Sequence, residues 1–191
     1  MKTFKIAEFN LTRVLLIVAL FSFWQTAVAK TEKYLINPGD VLEISVWNED
    51  TLTREVKVLP DGSIGFPLAG TVSAAGRTVD DLNKELTKKL TEYIAEPVVN
   101  IAVKSAEGNA VYVNGQVKAP GKFLMTEEMN VMQVLSLAGG LTAFAKKGNI
   151  VILRKNSTGT ESIKFDYSDL EDGEALSKNY LMKSGDVIVV P

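Results

Sequence analysis

A chain of 191 residues with a formal net charge of −2 and no basic run offers no electrostatic footprint for nucleic acid or anionic lipid. It contains no cysteine, so disulfides contribute nothing to its stability, and no histidine, which removes the commonest metal ligand and general base together.

The chain opens with a positive segment, Lys2, Lys5 and Arg13 against Glu8, followed by an apolar stretch from Val14 to Trp24 and then Ala27-Val28-Ala29. This is the order of a secretory signal over residues 1–29, with cleavage between Ala29 and Lys30. The rival reading is a retained membrane anchor. Cleavage is favoured because the apolar core falls well short of the roughly 20 residues that span a bilayer. Removing 29 of 191 residues leaves 162, enough for one ordinary domain or two small modules, and two modules are preferred. The signal carries a net charge of +2, so its loss takes the chain from −2 to −4.

Beyond the polar lead at 30–33, Pro38-Gly39-Asp40 is turn chemistry, and Leu42, Ile44 and Val46 alternate with Glu43 and Ser45 as a half-buried strand requires. Val56 and Val58 alternate in the same way, Pro60-Asp61-Gly62-Ser63 reverses the chain, and Ile64 and Phe66 continue on the far side, which predicts a hairpin. Thr78 is expected to cap a helix with apolar positions Val79, Leu82, Leu86, Leu90, Tyr93 and Ile94, stopped by Pro97. A strand follows over Val99, Ile101 and Val103. Ser105-Ala106-Glu107-Gly108-Asn109 is the expected boundary, giving modules at 30–106 and 107–191.

The second half has a short strand from Val111 to Val113, then Thr126 as the expected cap of a helix bearing Val131, Val134, Leu135 and Ala138, closed by Gly139-Gly140. A buried strand over 150–153, a turn over 156–159 and a terminal strand over 187–190 complete it. Two echoes link the halves. Gly70, Val72, Gly76 and Arg77 recur at the same spacing as Gly115, Val117, Gly121 and Lys122, and Gly39-Asp40-Val41-Leu42 recurs as Gly185-Asp186-Val187-Ile188. Chance recurrence of Gly-rich turns is one account; two related modules is the other.

Candidate chemistry is sparse. Lacking His and Cys, the chain offers only Lys, Asp or Glu as a base beside a nucleophile, and no motif places them. Asp166, Asp169, Glu171, Asp172 and Glu174 are the acidic candidates for glycoside cleavage, but read better as a solvated loop, and their spacing fails the alternating ligands of a calcium loop. Asp40 and Asp186 read as turn formers bonded to nearby backbone rather than as metal ligands. Neither Gly-Val-Gly segment has the order of a nucleotide-binding loop. Trp47, the one Trp left once Trp24 departs with the signal, sits at a strand end, where a core or interface role is preferred over a sugar platform. No metal and no cofactor is expected.

Taken together, these segments resemble the outer-membrane polysaccharide export family. Tyr34-x-Ile36-x-Pro38-Gly39-Asp40-Val41-Leu42, Pro60-Asp61-Gly62-x-Ile64-x-Phe66-Pro67-Leu68-x-Gly70-x-Val72 and Gly76-x-Thr78 resemble its polysaccharide export domain. Val111-Tyr112-Val113-x-Gly115-x-Val117-x-x-Pro120-Gly121, Ala138-Gly139-Gly140-Leu141-Thr142 and Gly185-Asp186-Val187-Ile188-x-Val190-Pro191 resemble its soluble-ligand-binding β-grasp (SLBB) domain. The resemblance implies an α+β protein, a small mixed sheet with one helix followed by a β-grasp, with no enzymatic activity. It implies a homo-oligomeric ring in a periplasmic conduit for capsule or exopolysaccharide, working with an inner-membrane polysaccharide co-polymerase.

Larger members carry a lipidated Cys after the signal and end in a membrane-crossing helix; here Lys30 follows the cleavage site and the chain stops at Pro191. The expectation is therefore a short periplasmic member that reaches the outer membrane through a separate β-barrel. Arg77, Gln116, Lys118 and Lys122 are its candidate lumen or inter-subunit contacts, with ordinary exposed turns as the alternative. A periplasmic oligosaccharide-binding or regulatory module is the alternative function.

Overall fold

The computed structural model describes residues 33–191; the signal segment and its cleavage site at Ala29-Lys30 lie outside the described residues. The first half contains β1 (Val41–Val46), β2 (Arg54–Lys57), β3 (Ser63–Phe66), β4 (Gly70–Ser73), α1 (Val79–Leu90) and β5 (Val99–Ser105). β1 is the centre of an antiparallel sheet in the order β2-β1-β5, with Leu42 opposite both Val56 and Val103, and Ile44 opposite Ile101. That register sends Leu42, Ile44 and Val46 to one face, where they are buried with Leu82, Leu86 and Leu90 of α1. Those three leucines recur every fourth residue, the spacing that aligns one stripe of a helix with a sheet. Thr78 caps α1 as the sequence predicts, its Oγ1 accepting from Asp81 N at 3.2 Å, and Asn83 Nδ2 ties the helix to β5 by donating to Val99 O at 2.7 Å.

Two sequence expectations fail in this half. β2 and β3 are not partners: β2 pairs with β1, while β3 pairs with β4 through Ile64↔Val72. The reversal at Leu59–Ser63 does form, with Leu59 N donating to Ser63 O. Alternation shows which face of a strand is buried but not which strand lies beside it, and β3 satisfies its buried Ile64 and Phe66 equally well against β4. The helix, moreover, stops at Leu90 rather than running on towards Pro97. Ahead of Pro97, Glu96 adopts φ 48, outside the right-handed helical region that proline disfavours for its predecessor, and Tyr93 is left 61 % exposed instead of continuing the apolar stripe.

The second half is built on β6 (Ala110–Gly115), β7 (Gly121–Leu124), α2 (Val131–Leu137), β8 (Ile150–Asn156), β9 (Gly159–Phe165), α3 (Tyr167–Glu171) and β10 (Val187–Val190). Its sheet runs β7-β6-β10-β8-β9. β10 returns parallel to β6, from Val187↔Tyr112 to Val190↔Gly115, and every other pair is antiparallel. A hairpin, a covering helix and a last strand that slots in parallel to the first is the β-grasp arrangement. Val131, Val134 and Leu135 of α2 are buried with Val111, Val113, Ile152 and Ile188 of the sheet.

Here the cap of α2 is Asn130, not Thr126: Asn130 Oδ1 accepts from Gln133 N at 3.0 Å and Gln133 Oε1 accepts from Asn130 N at 2.8 Å. The strand-like bridge Asn130↔Leu181, flanked by Met182 N donating to Met129 O, holds the preceding residues extended, so no helix can start earlier. Gly139-Gly140 closes α2 as predicted, both glycines left-handed, with Gly140 N donating to Leu135 O. The acidic stretch is not simply a solvated loop, because Asp166 caps α3 through Ser168 N at 2.9 Å and Leu170 is buried.

The Gly-Val-Gly echo is one of letters only. Gly70 opens strand β4, whereas Gly115 closes strand β6, and Gly121 opens strand β7 instead of forming a turn. Gly115 has its own reason to be glycine: φ is 94, and a Cβ there would stand 1.9 Å from the Val190 carbonyl oxygen, where β6 and β10 converge. Gly115→Ala is therefore expected to cost about 2–4 kcal/mol, strain plus overpacking. Gly76→Ala, at φ 75 with open space around it, is expected to cost only about 1–2 kcal/mol. Urea unfolding of the two variants checks the difference.

Candidate functional site

The second echo, Gly-Asp-Val, has a common structural cause. At Asn37–Asp40, Asp40 N donates to Asn37 O at 3.1 Å while Asn37 N donates to Asp40 Oδ2 at 2.8 Å. At Lys183–Asp186, Asp186 N donates to Lys183 O at 3.0 Å while Lys183 N donates to Asp186 Oδ2 at 2.7 Å. Gly39 and Gly185 supply the left-handed residue that each turn needs, at φ 97 and 86. Both carboxylates are sealed from solvent, at 0 % and 1 % exposure, so each requires donors on all sides.

Each aspartate finds a different third partner. Asp40 accepts from the Tyr34 hydroxyl at 2.6 Å and, through Oδ1, from Gly108 N at 2.9 Å. Asp186 takes a bidentate guanidinium, Arg154 Nε to Oδ1 at 3.0 Å and Nη2 to Oδ2 at 2.6 Å, and Arg154 also donates to Leu181 O. The hydrogen bond to Asp186 holds the Arg154 guanidinium above its ordinary pKa. Burial first, and then the bond to Asp40, push the Tyr34 phenol well above the usual tyrosine range.

Gly108 joins the two turns. Its N–H is spent on Asp40, and its carbonyl accepts from Ser184 Oγ at 2.9 Å, next to the second turn. Around it Lys57 pairs with Glu107 at 3.2 Å, Asn109 N closes a turn on Ala106 O, and Gly185 N donates to Ala110 O. A Cβ on Gly108 would meet Pro38 O at 2.3 Å and Asp40 Oδ1 at 2.9 Å. The connecting segment is thus a packed joint.

The structure does not gather the predicted contact residues into one site. Arg77 forms a half-exposed ion pair with Glu85 at 3.1 Å in the first module. Gln116 and Lys118 lie on one loop against the end of α2, where Gln116 Oε1 accepts from Thr142 Oγ1 at 2.9 Å and Lys118 N donates to Gly140 O. Lys122 Nζ reaches the joint, donating to Glu107 O at 3.0 Å.

A feature the sequence placed elsewhere stands out. Trp47 is 73 % exposed, which rules out the core role, and with Val98 it borders an open groove of about 660 Å³ where β1 ends and β5 begins. Trp47 N donates to Val98 O at 2.9 Å, which fixes the two walls. The alternation that buries Leu42, Ile44 and Val46 sets Trp47 on the opposite, outward face, and the chain turns after it through left-handed Asn48, φ 60. Among the described residues no group of three or more Asp and Glu side chains could hold a metal ion, and no helix is long and apolar enough to cross a membrane.

Comparison with known proteins adds two matches in tandem: the model for polysaccharide biosynthesis/export protein over residues 28–104 and that for the SLBB domain over 109–190. The chain is 26 % identical over 188 residues to the EPS I polysaccharide export outer membrane protein EpsA of Ralstonia nicotianae, covering 85 % of this chain and 48 % of that one. It is 30 % identical over 138 residues to the polysialic acid transport protein KpsD of Escherichia coli, covering 70 % and 24 %. With the capsule polysaccharide export outer membrane protein CtrA of Neisseria meningitidis serogroup A it shares 23 % over 192 residues, covering 88 % and 47 %. The chain spans less than half the length of each of these relatives.

Two outcomes follow for the joint. Asp186→Ala leaves Arg154 without its counter-charge and should cost about 3–5 kcal/mol, against less than about 1 kcal/mol for Asp169→Ala, which breaks the exposed pair with Lys178; urea titration measures both. For Tyr34, a phenol whose pKa is raised on folding stabilises fully below the unfolded value of about 10 and less as pH climbs above it. Stability should therefore fall on the alkaline side, and Tyr34→Phe should flatten that fall while lowering stability at neutral pH by about 1.5–3 kcal/mol. Thermal melts from neutral to strongly alkaline pH read both effects.

Proposed function

We propose, from the premise that the chain belongs to the polysaccharide export family, that it is a non-enzymatic component of the conduit carrying capsule or exopolysaccharide across the cell envelope. The observation that carries this reading is the tandem match of an export domain and an SLBB domain over one chain, whose two halves meet in a packed joint around Gly108. The relatives that the chain matches are named for polysaccharide export or transport, which favours transport over an oligosaccharide sensor.

Function then resides in surfaces. A conduit built from copies of this chain needs heterologous contacts that close into a ring. The open edges at β2 and β5 of the first sheet and at β7 and β9 of the second are the backbone groups free to make them. Arg77, Gln116, Lys118 and Lys122 are assigned to lumen or inter-subunit contact, Arg77 on one module and the other three on the second. The ring sits in the periplasm, faces an inner-membrane polysaccharide co-polymerase, and meets the outer membrane through a separate β-barrel.

Deleting the gene tests the transport reading: polysaccharide should still be synthesised but retained within the cell, and unchanged surface polysaccharide would refute it. Native mass of the purified protein tests the ring, with a closed high-order oligomer expected and a monomer at working concentration against it.

A further inference from the structure

The groove beside Trp47 has a composition that the fold does not explain. Five polar side chains line it, Ser45, Asn48, Asp50, Thr53 and Asn100, and none of them has a hydrogen-bond partner among the described residues. Asn83, Asn130, Asp61 and Asp166, by contrast, spend their amides and carboxylates on nearby or facing backbone. Here amide, hydroxyl and carboxylate groups stand unspent around an indole whose surface faces solvent. The chain turns at the rim through Asn48, a non-glycine residue in the left-handed region at φ 60.

From this combination the geometry points to a subsite at Trp47 that holds one neutral sugar residue of a passing polysaccharide, with the indole stacked on the C–H face of the ring and Asn48, Asn100 and Asp50 bonded to its hydroxyls. The inference rests on the transport reading above and names a contact within it. An aromatic face removes the apolar side of a pyranose from water. Amides offer both donors and acceptors, and Asp50 offers acceptors only, which suits a rim of hydroxyl groups. An apolar protein face laid over the same groove would strand all five polar groups, each at the expense of its lost hydration. Charge selects further: the one ionised group lining the groove is Asp50, and no Lys or Arg lines it. A uronate or sialate carboxylate would meet a like charge there. Openness to solvent and a single stacking ring make the contact weak, as a polymer in transit requires.

The test uses the purified protein carrying Trp24→Phe, so that Trp47 is its sole tryptophan. A neutral hexose oligosaccharide is expected to give a saturable change in Trp47 emission, and an oligouronate of equal length a weaker one. Calorimetry on Trp47→Ala and, separately, on Asn100→Ala is expected to show the neutral sugar bound about tenfold more weakly; both side chains are exposed, and circular dichroism confirms folding. Three results would overturn the site: no saturable response, undiminished binding by both variants, or an emission change that follows protein concentration instead of sugar, which would assign the groove to a neighbouring protein copy. Failure here is distinguishable from failure of the transport reading. A deletion strain that retains its polymer, together with a silent Trp47, rejects the subsite alone, whereas a deletion strain with normal surface polysaccharide rejects transport.

Discussion

An ionised carboxylate taken out of water destabilises a fold by several kcal/mol unless every acceptor position is met, and this chain buries two at equivalent places. In each, a Gly-Asp pair lets the carboxylate accept from the backbone three residues earlier and then launches a core strand, β1 from Asp40 and β10 from Asp186. Those strands are interior members of their sheets. Satisfying the aspartates therefore also sets where the core strand of each module begins. Because Asp40 completes its shell with Gly108 N, while Ser184 beside Asp186 takes Gly108 O, the same polar accounting that stabilises each module also fixes the connection between them.

The sequence displayed this feature more openly than any other. The Gly-Asp-Val echo could be read as turn chemistry because Asp and Gly carry a strong local meaning, and the structure realises it twice. The stripe Leu82, Leu86, Leu90 and the alternation of Leu42, Ile44 and Val46 were equally plain, since a helix or strand facing one core reports its period directly. What escaped was decided by distant partners. β3 went to β4 and not to β2, and the start of α2 was set by the bridge from Leu181. β9, almost entirely exposed along Thr160-Glu161-Ser162, carried no apolar period to detect. The Gly-Val-Gly echo misled for the opposite reason, as two glycines with the same spacing serve a strand opening in one place and a parallel close approach in the other.

The candidate surfaces followed the same division. Arg77, Gln116, Lys118 and Lys122 were legible as basic or polar residues near turns, yet nothing in a linear pattern indicates whether such residues share a face, and three separate local settings receive them. Trp47 was legible as an aromatic residue at a strand end on the face opposite Val46, but the groove it borders depends on the left-handed turn at Asn48 and on the pairing of its own N–H with Val98 O. Both are products of the folded backbone.

The saturated joint at Gly108 bears on how the two modules of the chain can move. Rotating one module against the other would break the Asp40 and Ser184 bonds together and leave the buried Asp40 Oδ1 without its donor. The two modules are consequently expected to move as one body. In the ring proposed for this chain, any change of bore would then be taken up at the seams between neighbouring copies.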